Sequence, residues 1–270
     1  MIDMNAIVGK MNIALITLDT LRYDVAQDLF AAGRTPNLAS VIPGGWEKAH
    51  SPGSFTFAAH TAFFAGFLPT PATPGNHTRL FAAKFRGSET TGPGTCVFET
   101  ADIVTGLAQK NYRTICIGGV GFFNEQTPLG SVLPGLFSES YWKPAFGVTD
   151  PASAKNQFHF AAGLLAEQER DKPVFLFINI SAIHQPNYFY REGAKTDSFE
   201  THGAALEYVD AQLPVLFDAL RKQNDTFCIF CSDHGTAYGE DGYRGHRVGH
   251  ETVWTVPYAS CILKGKTDER

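Results

Sequence analysis

What most constrains this chain is an alternation between short, continuous apolar runs and longer stretches with helical periodicity. The apolar runs fall at residues 12–18, 112–118, 174–180, 226–231 and 258–263. Most are uninterrupted rather than alternating with polar residues, the pattern expected of strands covered on both faces. Helical stretches at 98–110, 152–168 and 203–222 precede three of them. In the last stretch Leu206, Val209, Leu213, Leu216 and Leu220 recur at helical spacing, and Pro214 predicts a kink or restart. Strands and helices in alternation predict an α/β chain with a mostly parallel, doubly covered sheet. Residues 70–95 are rich in Gly, Pro and Thr and read as a surface loop, as do residues 124–151 with their four prolines, Pro128, Pro134, Pro144 and Pro151. No internal repeat is visible. Residues 1–10 read as a flexible extension and 11–270 as one α/β domain.

The residue balance excludes several classes of function. Lys and Arg number 22 against 27 Asp and Glu, a net charge of −5 that disfavours a nucleic-acid binder. With 44% hydrophobic and 18% charged residues the chain can bury a sizeable core and is not intrinsically disordered. No segment reaches the roughly 18 apolar residues of a membrane span, and the run after Lys10 is broken at Asp19 without a signal-peptide cleavage site. The five cysteines, Cys96, Cys116, Cys228, Cys231 and Cys261, are odd in number and sit among apolar neighbours, which points to a reducing compartment and a cytoplasmic location. Cys228 and Cys231 form a CxxC inside an apolar run. Strand alternation puts their sulfurs on opposite faces, so they read as core rather than as a redox or zinc pair.

In an open parallel sheet, ligands bind beyond the carboxyl ends of the strands. Three predicted strands end there in acid–base or metal-capable residues: Asp19-Thr20 after the first, Ser181-Ala-Ile-His184 after the third, and Ser232-Asp233-His234-Gly235 after the fourth. A lone Asp or His in a loop is ordinary surface polarity; three such endings on one edge define a candidate site. Asp233 and His234 offer one oxygen and one nitrogen ligand, which suits zinc or manganese better than magnesium or calcium. The glycine-rich loop that follows carries His246 and His250.

The stretch Ser51-Pro-Gly-Ser-Phe-Thr56-Phe-Ala-Ala-His60 leads from a turn into an apolar helix. Thr56 near that helix start would meet unpaired amides that favour an anion, and beside a metal its hydroxyl becomes a nucleophile. The plainer alternative is a helix cap.

Four segments in order resemble the alkaline phosphatase superfamily, in its sulfatase-like and lipid phosphoethanolamine transferase-like branch. They are Ile16-Thr-Leu-Asp19-Thr-Leu-Arg22; Thr56-Phe-Ala-Ala-His60 with Gly66-Phe-Leu-Pro69; His184-Gln-Pro186-Asn-Tyr188; and Ser232-Asp233-His234-Gly235 with Gly239-Glu240, His246 and Val256-Pro257. Residues 205–210 also resemble a helix of this superfamily. The resemblance implies an alkaline phosphatase-like fold in which Asp19, Asp233 and His234 hold a divalent metal and Thr56 completes its shell as nucleophile. It implies that His184, His60 and His246 contact the transferred group, donate a proton or bind a second metal.

Three departures narrow that implication. Sulfatases of the superfamily carry a Cys/Ser-x-Pro-Ser-Arg motif whose first residue becomes formylglycine. Here both the convertible residue and the arginine are missing, and threonine is instead the nucleophile of phosphodiesterases and phosphotransferases. Thr20 stands where many sulfatases place a second acidic ligand. The chain is also short for the superfamily. The expectation is therefore a compact, metal-dependent hydrolase or transferase acting on phosphate esters through Thr56, with one or two ions, zinc first, and a small-molecule or lipid-headgroup ester as substrate. The alternatives are a sulfuric-ester hydrolase that works without formylglycine and a catalytically weak binding protein on the same fold. The sequence is silent on oligomeric state.

Overall fold

A computed structural model of the chain describes residues 2–66 and 102–266. The elements, in chain order, are β1 (Asn12–Leu18), α1 (Tyr23–Ala31), α2 (Pro36–Val41), β2 (Glu47–His50), α3 (Thr56–Ala65), α4 (Ile103–Gln109), β3 (Arg113–Ile117), β4 (Glu139–Tyr141), α5 (Ser153–Ala166), β5 (Val174–Ile180), α6 (Phe199–Arg221), β6 (Thr226–Cys231), β7 (Ala237–Tyr238), β8 (Arg244–Gly245), α7 (Glu251–Trp254) and β9 (Thr255–Leu263). Seven strands form one sheet in the order β2-β9-β6-β1-β5-β3-β4. The run β6-β1-β5-β3-β4 is parallel, whereas β9 pairs antiparallel with β6 and β2 antiparallel with β9. This is the mostly parallel α/β architecture expected. β7 and β8 form a separate two-stranded ribbon.

The sheet has an apolar core on each face, which explains the continuous runs. Ala14, Ile16 and Leu18 of β1, with Leu176, Ile178 and Ile180 of β5, pack with α5 and α6 residues such as Phe158, Leu206 and Leu213. Ile13, Phe175, Phe177 and Phe227 point the other way, against Phe64, Val104 and Leu107 of α3 and α4. Alternate residues of one strand thus feed two cores, and neither face leaves a polar stripe. Cys228 lies in the first core. Cys231, three residues on, borders an apolar cavity of about 560 Å³ on the opposite face, beside Ile13, Phe64, Phe175 and Ile229.

The bounds of β1, β5 and β6 match the apolar runs; β9 begins three residues earlier than its run. Two edge strands, β2 and β4, have no counterpart in the sequence reading. β2 reads Glu-Lys-Ala-His and is largely exposed, so it lacks the apolar signal that marks a covered strand. β4 lies within the proline-rich stretch 124–151, otherwise a series of short 3₁₀ turns. α6 is longer than predicted, and Pro214 sits inside it without ending it. A capping box at Ser198 and Thr201 fixes its start.

Residues 1–10 require a correction. Met4–Ala6 forms a 3₁₀ turn, and Ile7 is only 2% exposed within the second core. The Tyr112 hydroxyl accepts from the Gly9 N–H at 2.8 Å and donates to the Met11 carbonyl at 2.8 Å. A buried isoleucine and a tied backbone anchor this segment to the sheet. The predicted loop 70–95, the Phe67-Leu-Pro69 part of the second motif, Cys96 and the start of the 98–110 helix lie outside the described residues.

Candidate active site and metal centre

β1, β5 and β6 are neighbours at the centre of the sheet and run in the same direction, so their last residues share one edge. Asp19 follows β1 directly, and Asp233 and His234 follow β6. All three side chains are fully buried. One ligand atom from each lies within 4.8 Å of the others. The Asp19 Oδ1 and Asp233 Oδ2 atoms are buried without a hydrogen-bond partner. Native folds rarely leave buried carboxylate oxygens unpaired. Two such oxygens beside a histidine nitrogen form a donor set that could hold a divalent cation.

The remaining polar atoms of these residues are spoken for. Asn179 Nδ2 donates to Asp19 Oδ2 at 2.9 Å. The backbone N–H groups of Thr20 and His234 donate to Asp233 Oδ1 at 3.1 and 3.0 Å. His234 Nδ1 donates to the Gly235 carbonyl at 2.9 Å, which fixes the tautomer and leaves Nε2 as an acceptor. Burial, reinforced by Asp233, pushes the Asp19 carboxyl up to about 6. Burial also raises Asp233 to about 6, against the pull of its two N–H donors. Burial keeps His234 below the usual imidazole value, although Asp19 opposes it. Two carboxylates that resist ionising side by side, next to a neutral imidazole, present ligands that a cation would bring to their binding form.

Thr56 is the first residue of α3, and the cap position belongs to Phe55. Its hydroxyl is therefore free of capping. Thr56 Oγ1 lies 3.4 Å from Asp19 Oδ2 and 3.3 Å from His234 Nε2. The loop before it is held by Ser51, whose hydroxyl donates to the Asp233 carbonyl and whose N–H donates to the Trp254 carbonyl at 2.7 Å. Gly235 serves this packing rather than a turn. A Cβ there would stand 2.0 Å from the Thr252 carbonyl oxygen, so only glycine lets α7 approach behind the Asp-His pair.

The expected histidines divide into two groups. His246 and His184 line the same cleft. The His246 ring centroid is 4.6 Å from that of His234 and 5.5 Å from that of His184. His246 Nδ1 is buried without a partner. Burial, then the neighbouring His234 and His184, lowers His246 to about 3 and keeps it neutral. It stands beside the three-residue ligand cluster rather than within it. His184 Nδ1 donates to the Gln185 carbonyl, leaving Nε2 available.

His60 departs from the expectation that it touches the transferred group. It is fully buried; Nδ1 donates to the Thr56 carbonyl at 2.8 Å and Nε2 accepts from Thr17 Oγ1 at 3.1 Å. The ring is walled by Phe63, Phe64, Phe123 and Phe177. Burial lowers it to about 3. With both nitrogens hydrogen-bonded inside the fold, it meets the site through Thr56, Thr17 and Asp233, whose Oδ2 lies 3.7 Å from Nδ1. His250 caps α7 and pairs with exposed Asp241.

Two contributors escaped the sequence reading. Asn179 orients Asp19, and its Oδ1 accepts from the Val120 N–H at 3.0 Å. Its signal was present: it is the single amide in the apolar run Val174-Phe-Leu-Phe-Ile-Asn-Ile180. Thr20 reaches Asp233 by its backbone N–H from a left-handed conformation at φ 65°. No sequence pattern announces that.

The apolar cavity beneath the sheet holds none of Asp19, Thr56, Asp233 or His234, so the chemistry is located by the polar cluster at the strand ends.

A mostly parallel sheet with an Asp/Asp/His cluster at its carboxyl edge defines an α/β protein with a candidate divalent-cation site at its strand ends. The chain belongs to the sulfatase family, whose model, described as "Sulfatase", matches residues 12–258. No curated protein matches it. Among solved structures it is similar to the C-terminal periplasmic domain of phosphoethanolamine transferase EptC from Campylobacter jejuni, at 14% identity and TM-score 0.61, covering 94% of this chain and 79% of that one. It is similar to the corresponding EptC domain from Escherichia coli in complex with Zn, at 13% identity and TM-score 0.63, covering 95% and 73%. A protein in the alkaline phosphatase superfamily from Vibrio parahaemolyticus matches at 20% identity and TM-score 0.59, covering 97% and 62%. At these identities the likeness establishes the fold.

Proposed function

We propose that the chain is a metal-dependent hydrolase or transferase of phosphate esters that uses Thr56 as its nucleophile. The observation that carries this reading is the Thr56 hydroxyl, uncapped and buried, within 3.4 Å of both Asp19 and His234. Asp19, Asp233 and His234 would hold a divalent cation, zinc by the chemistry of the donor set, with His246 adjoining. Such an ion supplies positive charge that acidifies the threonine hydroxyl and offsets charge on the transferred group.

The chain's own residues do the rest. Asn179 holds Asp19 in place, and because His234 Nδ1 is tied to Gly235, Nε2 is the nitrogen that His234 would offer the cation beside Thr56. The amides at the start of α3 face the oxygens of the transferred group. Thr56 Oγ1 passes its proton to Asp19 Oδ2, 3.4 Å away, and attacks phosphorus. The ester bond to the departing alcohol breaks, and the imidazolium form of His184, its Nδ1–H held by the Gln185 carbonyl, gives that oxygen the Nε2 proton, a step worth roughly 10²–10⁴-fold in rate. His246, held neutral, suits a ligand or acceptor better than an acid. Water or a second alcohol then attacks the phosphothreonine, regenerating Thr56 and releasing the phosphate or a new ester. Positioning and electrostatics account for most of such catalysis. The named neighbours, phosphoethanolamine transferase domains and a zinc complex among them, support a phosphate ester and zinc. Membership of the sulfatase family keeps sulfuric esters as the second reading.

The test is a screen of chromogenic phosphate monoesters, diesters, phosphonates and sulfates with zinc, manganese, magnesium or calcium, repeated with Thr56→Ala. Metal-dependent phosphoryl release that falls at least about 10³-fold in Thr56→Ala is the expected result. Turnover of sulfates alone establishes the second reading. Full activity in Thr56→Ala overturns the nucleophile.

A further inference from the structure

The loop that closes over the site is unevenly charged. Between Glu240 and Glu251 it carries three carboxylates, and each already has a cationic or histidine partner: Glu240 with Arg22, Asp241 with His250, and Glu251 with Lys48. Two arginines of the loop, Arg244 and Arg247, have no carboxylate partner among the described residues. Arg244 lies on β8, with its guanidinium beside Gly239. Arg247 adjoins His246, whose ring faces His234. Its N–H donates to the Ser54 carbonyl at 2.8 Å, two residues before Thr56. This bond ties the arginine to the segment that presents the hydroxyl. Its positive charge reaches both His234 and His246.

The backbone at Arg247 is left-handed, with φ 68°. That conformation costs an ordinary side chain of the order of 1 kcal/mol, and glycine would adopt it freely. The Ser54 bond uses only the main chain and does not require an arginine. The side chain is exposed and has no hydrogen bond or ion pair among the described residues. Arg247 is therefore held next to His246 and the Ser54 carbonyl while no described residue neutralises its charge.

We infer that Arg247 is a specificity residue that favours substrates with a second anionic group, borne on the part of a phosphodiester that stays with phosphorus when the alcohol leaves. The inference rests on the phosphate-ester reading and adds to it the class of substrate. The cluster at the strand ends balances its own charges: two carboxylates against one divalent cation. The transferred group meets that cation and the start of α3, whereas Arg247 lies outside them at the rim. A charge there acts on what projects beyond the transferred group. An anionic arm gains a charge-assisted hydrogen bond, a neutral arm gains nothing, and an aminoethyl arm meets like charge. The substrate thus differs in charge from the phosphoethanolamine named for one structural neighbour.

The experiment uses three 4-nitrophenyl phosphodiesters that differ only in the second arm: 2-carboxyethyl, methyl and 2-aminoethyl. The expected order of kcat/KM in the wild type is carboxyethyl, methyl, aminoethyl, with roughly tenfold between the extremes, the ratio that a difference of about 1.4 kcal/mol produces. Arg247→Gln flattens the series and Arg247→Glu reverses it. Arg247→Gly removes the charge while suiting the left-handed backbone, so a flattened series there cannot be put down to misfolding. A wild-type preference for the aminoethyl arm overturns the inference, as does an order unchanged in Arg247→Gly and Arg247→Glu, or no turnover of the carboxyethyl diester. Thr56→Ala separates the two proposals. Turnover that survives in it counts against the threonine alone, because the arm order and its reversal are read independently.

Discussion

His234 Nε2 faces the Thr56 hydroxyl across 3.3 Å, and it does so as an acceptor because Nδ1 of the same ring is bonded to the Gly235 carbonyl. One backbone carbonyl thereby sets the protonation of a buried ring and the direction of the site's lone pair. The same ring sits between Asp233, its neighbour in sequence, and Asp19, which arrives from another strand. The strand order β6-β1-β5 makes this convergence possible, since it places the ends of three sequence-distant strands side by side.

Metal binding should depend on pH through the two carboxyls. Burial raises both Asp19 and Asp233 to about 6. In the unfolded chain they titrate near 3.8, so between pH 4 and 6 the native state binds the extra protons. Without metal, the contribution of these two groups to stability is full below pH 4 and falls as pH rises through 6. Buried His60 and His246, both lowered to about 3, pull the opposite way, and they cancel when the protein is compared with and without metal. A cation must displace the carboxyl protons, so it should stabilise more at pH 7.5 than at pH 5. Saturation at a hundredfold over Kd gives about 2.7 kcal/mol, a rise in Tm of roughly 5–10 °C. Differential scanning calorimetry of chelated and zinc-loaded protein at both pH values checks it. An equal shift at both, or an undiminished shift in Asp233→Asn, contradicts the assignment.

Ser54 and Thr56 make different predictions. The Ser54 carbonyl holds Arg247, and its hydroxyl has no hydrogen bond among the described residues. Thr56 faces Asp19 and His234. Ser54→Ala should keep most activity. Thr56→Ser should keep part of it, since the hydroxyl remains, and Thr56→Ala essentially none with an unchanged Tm. Intact-mass spectrometry of quenched reactions should find the substrate-derived group on the peptide holding residue 56. Finding it on Ser54 reverses the assignment.

How much of this was legible follows from where each signal lies. The central strands were readable because two cores bury every residue of β5 and nearly every residue of β1 and β6. The exposed edge strand β2 offered no such run. Asp19, Asp233 and His234 could be found because they end strands, and the rule for parallel sheets makes that edge special. His60 had the right spacing from Thr56, four residues along a helix. Only the fold reveals that its second nitrogen meets Thr17 on β1 and that aromatic rings enclose it. Thr20 contributes through a backbone dihedral, on which its side chain gives no information.

His60 should therefore behave as a positioning residue. Removing its ring takes the shortest of the Thr17 hydroxyl's hydrogen bonds, leaving those with Ile178 and Asn179, and opens a void among four phenylalanines. His60→Ala should cost about 2–4 kcal/mol of stability and lower Tm by roughly 5–15 °C. His60→Gln restores part of the hydrogen bonding and should recover part of both stability and kcat. Because burial holds His60 near 3, its titration should leave no mark on kcat/KM above pH 5. A His60-dependent limb near pH 6.5 would show that it exchanges protons with substrate.

The late histidines provide the sharpest contrast. His246 and His250 share one loop, four residues apart, yet they meet different surroundings. The His246 ring lies tilted against His234, with centroids 4.6 Å apart, and has a buried, unpartnered Nδ1 that a ligand at the site would satisfy. His250 points away. Its Nδ1 accepts from the Thr252 N–H at 3.2 Å, and its Nε2 pairs with exposed Asp241 at 3.0 Å. Capping and an exposed hydrogen bond to Asp241 are together worth about 1 kcal/mol. His250→Ala should thus lower Tm by a few degrees and leave kcat within about threefold. His246→Ala should reduce kcat at least about 10²-fold at nearly unchanged Tm, since a neutral ring at the cleft contributes to the site more than to packing. Isothermal titration with zinc adds an independent readout. The first binding event should persist in His246→Ala, because Asp19, Asp233 and His234 are intact, and should weaken no more than tenfold to a hundredfold, as for a ligand's supporting neighbour. Equal losses of kcat in the two variants would show that the loop acts as one unit and that proximity to His234 does not distinguish its histidines.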